Sequence, residues 1–183
     1  IFALDAKIKT MVTSYRHKEF PIASDCYSIR YECDAKTKPV SFMKLLNVQN
    51  ETVIHKTSLD LPEGLVEVLD AWNDIESLTW KQEANTIKVL IRINICLFGK
   101  MENGETAYFE QGDDAEHEIK LSEQAAGIDF EPSCDVLSSS YSLSGKESIE
   151  MRGELLLCGS ILGTVKTSCL ADVGLDESKP KEK

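Results

Sequence analysis

This sequence predicts an all-β fold of mostly antiparallel, sandwich-like layers, and three observations carry the prediction. The first is a strict period of two. From Ile87 to Leu97 every odd position is large and apolar (Ile87, Val89, Ile91, Ile93, Ile95, Leu97), as in a long strand with one buried face. The second is Asn103-Gly104, followed by Ala107-Tyr108-Phe109. Asn-Gly readily takes the φ > 0 angles of a type I′ turn, so the chain is expected to reverse there into a hairpin. The third is an internal echo. Met11-Val-Thr-Ser-Tyr15, a turn and Tyr27-Ser-Ile-Arg-Tyr-Glu-Cys33 are matched by Val136-Leu-Ser-Ser-Ser-Tyr141, a turn and Ile149-Glu-Met-Arg-Gly-Glu-Leu-Leu-Leu-Cys158. The near-equal spacing from Tyr to Cys suggests two similar tandem β units, although alternation alone makes any two amphipathic hairpins resemble each other.

The remaining elements follow in chain order. Residues 4–15 read as a first strand with mixed faces, and residues 16–24, with Pro21, as a connection. Residues 25–33 alternate again, Tyr27, Ile29, Tyr31 and Cys33 against Ser28, Arg30 and Glu32. Asp34 to Pro39 is polar and turn-like, and Val40–Val48 and Glu51–Leu59 read as two further strands. Leu65, Val68, Leu69 and Trp72 fall at i, i+3, i+4 and i+7, with Asp60 placed to cap the run before Pro62; this spacing predicts one short helix within residues 61–72. Residues 75–82 lead into the central strand. Residues 111–118 read as an acidic loop, 119–121 as a short strand and 123–132 as irregular. The last strong pair is 134–142 with 148–162, reversed at Ser144-Gly-Lys146. The expected division is an N-terminal β unit over 1–60, a β domain over 61–170 and a solvated tail over 171–183; one continuous domain over 1–170 is the alternative.

Composition narrows the partners. The chain has 183 residues, 42% of them apolar, enough for a substantial core. Twenty basic against 31 acidic residues give a net charge of −11. Such a surface repels phosphate backbones and anionic lipid heads, so nucleic acid is not an expected partner. No run reaches the length of a membrane span, no signal peptide opens the chain, and a first residue of Ile predicts a longer natural N-terminus.

The six cysteines at 26, 33, 96, 134, 158 and 169 form no C-x-x-C and have no His at zinc-ligand spacing. A chain of this length does not need disulfides, so free thiols made in a reducing compartment are expected. His17, His55 and His117 are scattered, and there is no nucleophile elbow, glycine-rich dinucleotide motif or P-loop. No catalytic residue, cofactor or metal site is therefore assigned, and the chain is not expected to be an enzyme. Residues 112–117 (Gly-Asp-Asp-Ala-Glu-His) lack the alternating ligands of a calcium loop. Their acidity suits a docking surface for a basic partner, and Trp72, Trp80 and Tyr108 could stack on sugar rings. The candidate partner surface is accordingly Trp72, Trp80, Tyr108, Asp113, Asp114 and Glu116.

Four stretches together carry a resemblance: Pro21-Ile-Ala-Ser-Asp-Cys-Tyr27-Ser, Leu61-Pro-Glu-Gly-Leu-Val-Glu-Val-Leu-Asp70, the strand 87–98 with its hairpin, and Tyr141-Ser-Leu with Ile149-Glu-Met-Arg-Gly-Glu-Leu155. Over most of residues 8–162 the chain resembles the SPOCS-type domain, formerly of unknown function, found in spore-forming bacteria and often followed by a peptidoglycan-binding LysM module. The resemblance implies an all-β domain that builds the spore envelope through protein–protein contact and carries no catalytic residues. It implies protein partners of the spore envelope. Self-association is a further candidate contact, and the expected free thiols and missing signal peptide agree with a location in the mother-cell cytoplasm and at the spore surface. No LysM module is present in these residues. The alternative function is an extracytoplasmic glycan- or wall-binding β module using Trp72, Trp80 or Tyr108.

Overall fold

The computed structural model describes residues 18–144 and 147–180, the last six as backbone only, together with Lys7, Thr10, Val12, Ser14 and Arg16. The expected strand over 4–15 and the reversal at Gly145-Lys146 lie largely outside the described residues. Among the described residues seven strands follow one another: β1 (Tyr31–Asp60), β2 (Leu65–Glu83), β3 (Thr86–Met101), β4 (Thr106–Lys120), β5 (Ala126–Phe130), β6 (Ser133–Ser144) and β7 (Ser148–Pro180). One sheet runs β2-β3-β4. In the other, β7 lies between β1 and β5, and β6 also pairs with β7. The fold is all-β, with antiparallel sheets in a sandwich-like arrangement.

The chain forms two compact units, residues 41–167 and residues 1–40 with 168–183. In the larger unit the inward residues of β3 (Ile87, Val89, Ile91, Ile93, Ile95) and of β7 (Ile149, Met151, Leu155, Leu157, Ile161) are all 2% exposed or less. They form one cluster, and burying each such side chain stabilises the fold by about 1.5–3 kcal/mol. Gly153 is what lets β2 approach here: a Cβ on it would lie 2.6 Å from Asn73 Nδ2. In the smaller unit β1 and β7 make a ribbon, in which a Cβ on Gly174 would lie 3.6 Å from that of Asp34 and Lys36 Nζ lies 3.8 Å from Asp172. Contacts descend one strand as they ascend the other, so the pair is antiparallel.

The structure corrects several local expectations. No helix forms at 61–72; β2 begins at Leu65. Its inward residues are Leu65, Val68, Ala71, Asn73, Ile75, Leu78 and Trp80, while Leu69 is 44% exposed. Register shifts fall at Leu65/Glu67, Val68/Asp70 and Ile75/Ser77. Each bulge inserts one residue and moves the inward phase on by one, stretching the apolar period from two to three. That mimics helical spacing.

Residues 111–118, expected as a loop, are the middle of β4. The expected strands 40–48 and 51–59 are one strand, and the expected turn at 34–39 is part of it. Pro39 is tolerated in its interior because β1 is an edge strand. Residues 25–30, expected as strand, are not; β1 begins at Tyr31. The first half of the internal echo therefore has no hairpin among the described residues. The segment expected as a solvated tail is strand as far as Pro180, although Ala171–Gly174 are exposed.

The turn at Asn103-Gly104 is also not type I′. Only Gly104 has positive φ (85°), and its N–H donates to Met101 O (2.9 Å). This is a type I turn closed by a left-handed glycine.

Candidate functional site

The outer face of the β2-β3-β4 sheet carries most of the residues singled out from the sequence. Register places Trp72 beside Cys96 and Glu110 beyond it, and Asp70 beside Phe98 and Tyr108. The Trp72 and Tyr108 rings stack, with centroids 5.9 Å apart and planes 28° apart. Aromatic pairs in such offset geometry add about 0.5–1.5 kcal/mol to their burial. Cys96, on the strand between them, is 3% exposed even though it belongs to the outer face.

A polar relay runs under the rings. Tyr108 Oη donates to Glu110 Oε1 (2.5 Å). Hydrogen bonds with Cys96 and Glu110 hold the Tyr108 proton and push its pKa well above the ordinary range. The Tyr108 hydroxyl, then the Asn94 amide, hold Glu110 below the ordinary carboxylate range. Burial pushes the Cys96 thiol up.

Toward the other end the face is charged. Arg92 Nε lies 3.2 Å from Asp114 and 3.9 Å from Glu76. Lys88 lies 2.9 Å from Glu83 and 3.8 Å from Glu118. Hydrogen bonds from Lys81 and Lys88 hold Glu83 down to about 2, and the Glu83 carboxylate in turn raises Lys88. Glu116 sits across from Leu90, a side chain with no charge to offer it.

Trp72, Tyr108, Asp114 and Glu116 therefore share one face. Trp80 and Asp113 do not. Trp80 points inward, edge-on to Phe130 at 5.8 Å. Asp113 also has inward parity, and its Oδ2 lies 3.0 Å from Nε2 of His55 on β1. Burial pushes the Asp113 carboxyl up, but the Thr57 hydroxyl, the Asp114 N–H and His55 outweigh it and hold the group below its ordinary value.

Sequence reasoning missed this interior polar set. His55 is 6% exposed and its Nδ1 has no partner among the described residues; Asn73 is 4% exposed, both its N–H and its Nδ2 donate to Ser139 Oγ (3.0 and 3.3 Å), and its Oδ1 has no partner among them. A second pair crosses between the same strands, His117 Nε2 on β4 at 3.3 Å from Glu51 on β1. The only signal was parity, since His55 shares a strand face with Val53 and Leu59.

A groove of about 530 Å³ lies elsewhere, on the outer side of β1, β6 and β7. It is lined by Lys56, Ser140, Ser142, Glu150 and Arg152 among others. Its walls are exposed polar side chains that converge on no centre. All six cysteines are free thiols. Among the described residues no helix is long and apolar enough to cross a membrane. No family model, curated protein or solved structure matches the chain.

Proposed function

We propose that the chain is a non-enzymatic protein–protein assembly module of the bacterial spore envelope, acting in coat morphogenesis. The observation that carries the assembly reading is its supply of long, open strand edges. β1 spans 30 residues and, among the described residues, is paired on one side only, by β7; β4 spans 15 and is paired only by β3. Unpaired rows of N–H and C=O groups recruit strands of other chains. The spore envelope enters through the resemblance of most of residues 8–162 to the SPOCS-type domain. Six free thiols support synthesis in the mother-cell cytoplasm and residence at the spore surface.

The exposed Trp72–Tyr108 pair favours a second reading, an extracytoplasmic glycan-binding module. It is the weaker one. The two rings spend one face each on each other, and Trp80 is turned into the core.

Imaging a fluorescently tagged full-length protein through sporulation tests the proposal. The expected result is a shell around the developing forespore that disappears when strand 149–161 is disrupted. Uniform signal in vegetative cells, or export to the medium, overturns it and moves the glycan reading to the front.

A further inference from the structure

We propose that the free edge of β4 accepts, as an added strand, the basic N-terminal segment of a second copy of this chain, so that copies join head to tail. This rests on the assembly reading above and names its partner. β4 pairs with β3 residue for residue from Thr106 to Lys100 and from Lys120 to Thr86, with no register shift. Its outer edge is therefore a regular row of backbone donors and acceptors, with no pairing strand among the described residues. The opposite edge of this sheet, β2, is broken by three bulges, which spoil it as a template.

Charge selects what β4 can take. Its outer face presents Glu110, Asp114, Glu116 and Glu118, with Arg92 and Lys88 as the cations within ion-pair distance of two of them. Two such edges set against each other would oppose carboxylate to carboxylate, which disfavours β4-to-β4 pairing. A basic strand meets no such penalty.

The sequence holds one such basic segment. Residues 6–18 read Ala-Lys-Ile-Lys-Thr-Met-Val-Thr-Ser-Tyr-Arg-His-Lys, with four Lys or Arg and no carboxylate, in a chain of net charge −11. Its β-branched residues Ile8, Thr10, Val12 and Thr13 suit an extended backbone. Lys7, Thr10, Ser14 and Arg16 are exposed, and Val12 is 85% exposed, an apolar side chain left in water. In the antiparallel register that sets Lys7 against Glu116, Lys9 meets Asp114 and Met11 meets Gly112. Gly112 leaves room for it, since a Cβ there would touch nothing within 4 Å. Donor and acceptor are different patches, so the contact is heterologous.

Sedimentation of the full chain over a concentration series tests this with two variants. Lys9→Pro with Thr10→Pro disables the donor, because one of two adjacent N–H groups must face β4. Asp114→Lys with Glu116→Lys disables the acceptor at exposed positions, and its fold is checked by circular dichroism. The expected result is a wild-type mass that rises with concentration, each variant alone at the mass of one chain, and an equimolar mixture that stops at two chains. A wild type of single-chain mass throughout overturns the proposal. So does a mixture that stays monomeric, as pairing within one chain would give. Association that survives both variants also overturns it while leaving the assembly reading standing, because that reading is judged separately by the forespore shell.

Discussion

His55 Nε2 on β1 and Asp113 Oδ2 on β4 lie 3.0 Å apart inside the larger unit, joining strands from two different sheets through one hydrogen bond. The imidazole is buried and its other nitrogen has no partner among the described residues. Asp113→Ala therefore leaves it with none. The expected loss is about 1–3 kcal/mol, the desolvation cost of an unsatisfied buried polar group, read from urea unfolding.

The same carboxylate sets a pH dependence. Its folded-state pKa lies below the ordinary 3.8, so its stabilisation is complete above that value and disappears as pH falls through the lower, folded one. The stability difference between wild type and Asp113→Asn should narrow in acid, as pH falls through the folded value of Asp113. A difference that widened in acid would reverse the assignment.

Ala84 is the one non-glycine described residue with positive φ (52°), in the tight connection closed by the Glu83–Thr86 pair. An L side chain is strained there by about 1–2 kcal/mol. Glycine removes the strain but loses more backbone entropy on folding. Ala84→Gly should stabilise the chain by about 1 kcal/mol net, measured as a shift in the urea midpoint at unchanged slope.

The bulged path of β2 is open to a paired test. Helical spacing would bury Leu69 and leave Ala71 off the stripe, whereas in the structure Ala71 is 5% exposed and Leu69 44%. Leu69→Asp should cost under about 1 kcal/mol, as surface changes do. Ala71→Asp should cost more than about 3 kcal/mol, because it places an unpaired charge in the core. The opposite order would restore the helix.

Cys96 should be slow toward a thiol reagent at pH 8, because burial both blocks access and disfavours the thiolate. Cys134, pushed up to about 11 chiefly by burial, should also lag. Trp72→Ala removes the ring beside Cys96 and should raise its labelling rate by about tenfold or more, as followed by mass spectrometry of the modified peptides. An unchanged rate would mean that Trp72 does not cover it.

These elements also show what was legible in the sequence. β3 was plain because both of its neighbours pair with it and its inward face is unbroken Ile, Val and Leu, so the period of two survives undiluted. β2 was read as a helix because its three bulges reset the phase. β4 was read as a loop because two of its inward positions are Asp113 and His117, whose partners His55 and Glu51 are far away in sequence. Trp72 and Tyr108 were recognisable as candidate surface aromatics. Their meeting depends on the registers of two strand pairs, and no local pattern encodes that.

The ribbon of β1 and β7 in the smaller unit has a mechanical consequence. Its strands are antiparallel, with Asp34 near Gly174 and Lys36 near Asp172, so the start of β1 and the end of β7 emerge side by side. Tension applied through these two ends would act across the ladder and not along it, opening its hydrogen bonds one after another. Peeling of this kind needs far less force than sliding two strands past each other. Under load the ribbon would open from these ends inward, one pair at a time.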